Sequence, residues 1–137
     1  MWKLSCNSRA DARIPVLVVG SSAKNGPTWL SRHGFCATPC LDSSEALKKL
    51  SEGHHQAILY DHAMPGMNGE LLLKSICADF PEVAAVAVTQ PGELRHGVLA
   101  MLAGASGYIQ SPLRAEVMSA SLRTALTKKW LDSAVRS

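Results

Sequence analysis

Ala57-Ile58-Leu59-Tyr60-Asp61-His62-Ala63-Met64-Pro65-Gly66-Met67-Asn68-Gly69 is the stretch on which the architecture turns. Four apolar residues run without alternation and stop at a carboxylate, the pattern of a short strand buried on both faces. Pro65, Gly66 and Asn68 then mark a loop. From Gly69 to Phe80, Leu73, Ile76, Cys77 and Phe80 recur at helical spacing, which predicts a helix with one apolar side. The unit is strand, loop, helix.

Working outward, the same unit recurs. Upstream, Val16-Leu17-Val18-Val19 sits between Pro15 and Gly20 as a buried strand, and Pro27–His33, with Pro near its start and Gly34 after it, predicts a short helix. Phe35–Cys40 reads as a weaker strand, suited to a sheet edge because of Pro39. Asp42-Ser43-Ser44-Glu45 offers N-cap chemistry for a helix carrying Ala46, Leu47 and Leu50, with Gly53 as its stop. Downstream come a strand at Val83–Val88 and a helix whose expected core stripe is Leu94, Val98, Met101, Leu102 and Ala105. A brief strand at Tyr108-Ile109 follows. The last helix spans Leu113–Leu131, with Ala115, Met118, Leu122, Ala125 and Leu126 in its stripe. Five strand–helix units with short connections imply an α/β fold: a doubly wound, parallel five-stranded sheet with helices on both faces. In such a sheet the functional crevice lies beyond the carboxyl ends of the strands. Chemistry is therefore sought at Gly20-Ser21-Ser22, Asp61-His62, Thr89-Gln90 and Gln110-Ser111-Pro112.

Composition agrees. With 137 residues, 47% apolar and 18% charged, the chain is sized for one domain and is too apolar to be disordered. That domain is expected over 14–131, with a flexible N-terminal extension at 1–13 and a C-terminal tail at 132–137. No apolar run exceeds Val83–Val88, far short of the ~20 residues that span a bilayer, and no secretory h-region follows Met1. A soluble, cytoplasmic protein without membrane contact is expected. The net charge of +3 comes from the ends: +2 over 1–13 and +3 over 113–137, against −2 in the body. A body without a basic stripe argues against direct nucleic-acid binding, and with few residues after the last helix no appended DNA-binding region is expected in this chain. Cys6, Cys36, Cys40 and Cys77 show no zinc-type spacing and are expected to be reduced structural thiols.

Three motifs then become specific. Tyr60-Asp61-His62-Ala63-Met64-Pro65-Gly66-Met67-Asn68-Gly69 resembles the D-x-x-M-P-x-M-x-G signature of response-regulator receiver domains. Thr89 stands at the end of the fourth strand, and Gly104-Ala105-Ser106-Gly107-Tyr108-Ile109-Gln110-Ser111-Pro112 resembles the family's G-A-x-G-Y-x-x-K-P. Gly34-Phe35 and Ser44-Glu45-Ala46-Leu47 fit its second strand and helix. The resemblance covers about Val16 to Leu126 and implies a flavodoxin-like sheet of strand order 2-1-3-4-5. It also implies that Asp61 is the phosphoacceptor position and that Thr89 and Tyr108 are the switch positions. Family members hold Mg²⁺ through two acidic residues after strand one, the acceptor, and a carbonyl two positions beyond it, here Ala63. A lysine after strand five pairs with the phosphoryl group. Partners meet the surface formed by helix four, strand five and helix five.

The chain departs from that pattern where the chemistry lives. The acidic pair falls on Gly20 and Ser21, and the lysine position is Ser111. The segment between Ser21 and Gly34 is also about one helical turn short of the family's usual spacing. Removing one electrostatic stabiliser of a developing charge costs ~3–4 kcal/mol, and three are absent, although losses within one site do not simply add. No cofactor is expected, and Mg²⁺ only weakly if at all, through Asp61 and the Ala63 carbonyl. The expected function is an atypical or pseudo-receiver. It would be a protein-interaction module of two-component signalling with weak or no aspartyl phosphorylation, and not an enzyme. Its partner would be a histidine kinase, a phosphotransfer domain or a downstream regulator, met through the helix-four to helix-five face, with a homodimer left open. Whether the receiver stands alone or is excised from a longer regulator or a hybrid kinase is also left open. The alternative is a receiver that accepts a phosphoryl group on Asp61 from a histidine kinase or phosphotransfer domain. A crevice that binds an anion at Gly20-Ser21-Ser22-Ala23 is a weaker third reading.

Other residues carry modest expectations. His54 and His55 fall at a helix end, where an imidazolium complements the dipole, and no metal is expected there. His62 reads as a solvated loop residue, and Met64 and Met67 as loop packing. Lys24 and Lys74 are candidate substitutes for the missing lysine, with Lys24 the nearer. Trp130 is either a partner hot spot on the final helix or a lid folded over the domain edge, and the sequence does not separate the two.

Overall fold

The computed structural model describes residues 13–20, 23, 26–62 and 68–136. Five strands and five helices alternate: β1 Ile14–Val19, α1 Gly26–Ser31, β2 Phe35–Cys40, α2 Ser43–Leu50, β3 Ala57–Asp61, α3 Gly69–Asp79, β4 Ala84–Thr89, α4 Leu94–Leu102, β5 Gly107–Gln110 and α5 Ala115–Arg136. The strands form one parallel sheet in the order β2-β1-β3-β4-β5, as the resemblance implies. β2 lies at an edge, where the missing N–H of Pro39 is tolerated. α5 runs on past Leu131, its expected end, to Arg136.

Alternation along the strands builds two cores. Leu17, Val19, Ile58, Tyr60, Ala85 and Ala87 face α2, α3 and α4. Val16, Val18, Leu59, Val86 and Ile109 face α1 and α5, where Leu30, Met118, Leu122, Ala125 and Leu126 meet them. Burying each large aliphatic contributes roughly 1.5–3 kcal/mol, so the continuous apolar runs of β1 and β3 follow from having helices on both sides. Asp42 caps α2 by accepting from the Glu45 N–H at 2.9 Å, while the Glu45 carboxylate takes the Leu41 N–H at 2.7 Å. Asn68 caps α3 in the same way through the Leu71 N–H.

Two sequence expectations fail for identifiable reasons. Of the stripe expected on α4, Met101 packs against the core and Ala105 is buried, but the buried residues of the helix itself are Gly97 and Ala100, while Leu94, Val98 and Leu102 are 54%, 46% and 80% exposed. The Tyr108 ring fills the space: a Cβ at Gly97 would overlap its Cδ2 and Cε2. The helix therefore approaches on its smallest residues and turns Leu94, Val98 and Leu102 outward. Among the cysteines, Cys40 and Cys77 are free, but Cys36 is disulfide-bonded, contrary to the expectation of reduced thiols throughout. Cys77 is exposed, not on the buried side of α3, with its Sγ 3.8 Å from the Ala103 and Gly104 carbonyls.

Candidate functional site

Parallel strands deliver their last residues to one edge of the sheet. There β3 places Asp61, β4 Thr89 and β5 Gln110, with Ser111 just beyond. Asp61 is paired in register with Val88, and the next N–H, that of His62, donates to the Val88 carbonyl at 3.0 Å. Asp61 is 8% exposed and Thr89 1%. The Thr89 hydroxyl is 3.5 Å from the Ile109 carbonyl, and the Ser111 N–H donates to the Thr89 carbonyl at 2.8 Å. Strand pairing thus brings Asp61, the Thr89 hydroxyl and Ser111 to one end, and the Ser111–Pro112 peptide there is cis.

The end of β1 closes on this edge. Gly20 has φ +95°, a conformation that L side chains rarely adopt. A Cβ built there would lie 2.8 Å from both Cγ and Oδ2 of Asp61 and 2.9 Å from its Cβ. The backbone of Gly20 therefore occupies space beside the carboxylate. Of the other predicted site residues, Ser21, the Ala63 carbonyl, Lys24, Met64 and Met67 lie outside the described residues. Lys74 is not brought to the crevice edge. It is on the solvent side of α3, 4.0 Å from Glu70 one turn away.

Tyr108 sits on β5 partly buried, its ring against Gly97 of α4 and the core beneath α4. That contact ties the strand-five aromatic to the helix-four backbone. His62, expected as a solvated loop residue, instead stacks on His96 of α4, with ring centroids 4.8 Å apart and planes at 25°. Burial and the neighbouring His96 push the His62 imidazole below its ordinary pKa. Glu70 and Glu93 act the other way, and Glu93 approaches His96 Nδ1 at 3.4 Å. With Leu73, Leu99 and Ala100 the two rings line a cavity of about 410 Å³ between α3 and α4. Nothing in the local sequence pairs His62 with His96, because the contact exists only once β3 and α4 are neighbours.

Trp130 of α5 is 54% exposed and lines a cavity with His54, His55 and Phe80 at the opposite end of the sheet. Among the described residues, no helix is long and apolar enough to cross a membrane.

Relatives agree with this geometry. The chain is 33% identical over 104 residues to the C4-dicarboxylate transport transcriptional regulatory protein DctD of Rhizobium meliloti, covering 76% of this chain and 23% of that protein. It is 29% identical over 101 residues to the two-component response regulator PhoP of Pseudomonas aeruginosa, covering 74% of this chain and 45% of that protein. The chain therefore spans less than half the length of these relatives. Among solved structures, a response regulator receiver domain protein from Clostridium thermocellum superposes with a TM-score of 0.79 at 26% identity, over 86% of this chain and 98% of that one. NtrX from Brucella abortus shares the fold at a TM-score of 0.82 and 23% identity, covering 90% of this chain and 29% of that one. Residues 15–123 match the family described as the response regulator receiver domain; the chain belongs to that family, the receivers of two-component signalling.

Proposed function

We propose that this receiver acts as a protein-interaction module with weak or no aspartyl phosphorylation. The observation that carries the reading is Gly20. In family members an acidic residue at the corresponding position helps hold Mg²⁺ beside the acceptor. Here the backbone adopts φ +95° and lies so close that a Cβ would sit 2.8 Å from the Asp61 carboxylate carbon. A side chain is not merely missing; this backbone leaves it no place. Mg²⁺ takes six hard oxygens and needs carboxylate charge to offset its dehydration. The matched positions supply Asp61 and, in sequence, the Ala63 carbonyl, with Ser21 as a neutral neighbour. These residues do not fit a Mg²⁺ site, and Ser111 has no cation to pair with a phosphoryl group.

Partner contact is assigned to the α4–β5–α5 face. Leu94, Val98, Leu99 and Leu102 all stand 46–80% exposed there, and exposed apolar groups in contiguous rows mark interaction surfaces. A histidine kinase, a phosphotransfer domain or a downstream regulator in the cytoplasm is the class of partner that this family meets. Retention of Asp61, Thr89 and Tyr108 together favours a second reading, a receiver that still accepts phosphate on Asp61.

A Mg²⁺ titration followed by backbone amide shifts separates the two. The expected result is no saturable movement of the His62, Thr89 and Ser111 amides at millimolar Mg²⁺. Saturable shifts centred on Asp61, lost in Asp61→Asn, overturn the proposal in favour of the second reading.

A further inference from the structure

The opposite end of the sheet gathers the ligand-type side chains. α2 ends at Leu50, and the chain reverses through Ser51-Glu52-Gly53, with Glu52 and Gly53 N–H groups donating to the Lys49 and Leu50 carbonyls at 3.1 Å. Gly53, at φ +90°, folds the following two residues back toward the helix end. Glu52, His54 and His55 then each present one ligand atom, all three within 4.8 Å of one another. We propose that Glu52, His54 and His55 form a binding site for a divalent late first-row metal ion, Zn²⁺ foremost.

The chemistry of the donor set carries this. Two imidazoles and one carboxylate are the borderline ligands Zn²⁺ takes, and three protein ligands with an open fourth position are the arrangement of accessible zinc sites. Bond lengths of ~2.0–2.2 Å in a tetrahedron place neighbouring ligand atoms about 3.4 Å apart. His54 Nε2 and Glu52 Oε1 are already 3.6 Å apart, and both side chains are more than a third exposed, so their tips are free to close the remaining gap. His55 is the fixed member, 8% exposed, with its Nδ1 buried and without a hydrogen-bond partner among the described residues.

The surroundings suit a cation. The carboxyl end of α2 carries the negative pole of the helix dipole, and the Lys49 backbone carbonyl acts on the His55 ring, the kind of outer contact that orients a metal-bound imidazole. The Lys49 side chain is the opposing charge. His54 and His55 also line a cavity of about 520 Å³ together with Asp79, Glu82, Phe80 and Trp130.

Titrating the tag-free full chain with ZnCl₂ by calorimetry, with the imidazole resonances followed by NMR, tests the assignment. The expected result is one equivalent bound, with the His54 and His55 ring signals moving. Losing even an outer-shell partner weakens metal sites by ~10–100-fold, so His54→Ala and Glu52→Gln, both on the exposed rim, should each weaken binding at least about tenfold. His62→Ala, at the other imidazole pair, should leave it unchanged. No binding, binding unaffected by His54→Ala and Glu52→Gln, or binding abolished by His62→Ala would each overturn the proposal.

Discussion

The two ends of the sheet differ in what surrounds a left-handed glycine. At the carboxyl end, Gly20 at φ +95° stands where an added Cβ would lie 2.8 Å from the Asp61 carboxylate carbon. At the amino end, where the sheet merely begins, a glycine of nearly the same conformation, Gly53 at φ +90°, meets nothing within 4 Å. It opens onto a cavity bordered by Glu82, His54, His55 and Trp130. One backbone device, a left-handed glycine, sits close to a carboxylate at one end and borders an open cavity at the other. What surrounds the turn decides its consequence.

Substitution at the two glycines measures that difference. Gly20→Ala should cost about 3 kcal/mol, combining ~1–2 kcal/mol for a left-handed non-glycine residue with the overpacking of a Cβ against Asp61. Urea unfolding of the variant checks it, and a loss below about 1 kcal/mol would show that the carboxyl end is not packed shut. Thiol chemistry gives the next effect. Burial, with Glu45 nearby, pushes the Cys40 thiol up to about 11, so at pH 8 only about one molecule in a thousand carries its thiolate there. Alkylation of the native protein with iodoacetamide, read by peptide mapping, should label exposed Cys77 at least about a hundredfold faster than Cys40.

Tyr60, immediately before Asp61, is fully buried, and its hydroxyl lacks a hydrogen-bond partner among the described residues. Tyr60→Phe keeps the shape and removes the desolvated group, so a gain of about 1–2 kcal/mol is expected in the same unfolding assay. Gly53→Ala has the smallest effect, about 1 kcal/mol of loss, because the strain of a positive φ acts there without a clash. Equal losses for Gly20→Ala and Gly53→Ala would erase the contrast between the two ends.

Much of this was legible in the residues. Unbroken apolar runs such as Val16–Val19 and Ala57–Tyr60 announce strands covered on both faces, and the turns after them place Asp61, Thr89 and Ser111 at a common edge. Periodicity misled at α4, because it assumes that large residues face the core. The Tyr108 ring, from a different strand, had already claimed that space, and Gly97 is the helix residue that lies against it. The absence of acid at Gly20 is visible in sequence, but its packing against Asp61 depends on a backbone angle that no residue pattern specifies. The same holds for His62 on His96, and for Glu52 beside His54 and His55, where spacing suggested only a helix end.

Covalent labelling tests the central claim most directly. The protein and its Asp61→Asn variant are incubated with phosphoramidate and Mg²⁺ and read by intact mass. At most a trace of phosphorylated protein is expected, indistinguishable from the variant. Stoichiometric, hydroxylamine-labile modification of the wild type alone, mapped to Asp61, would contradict it.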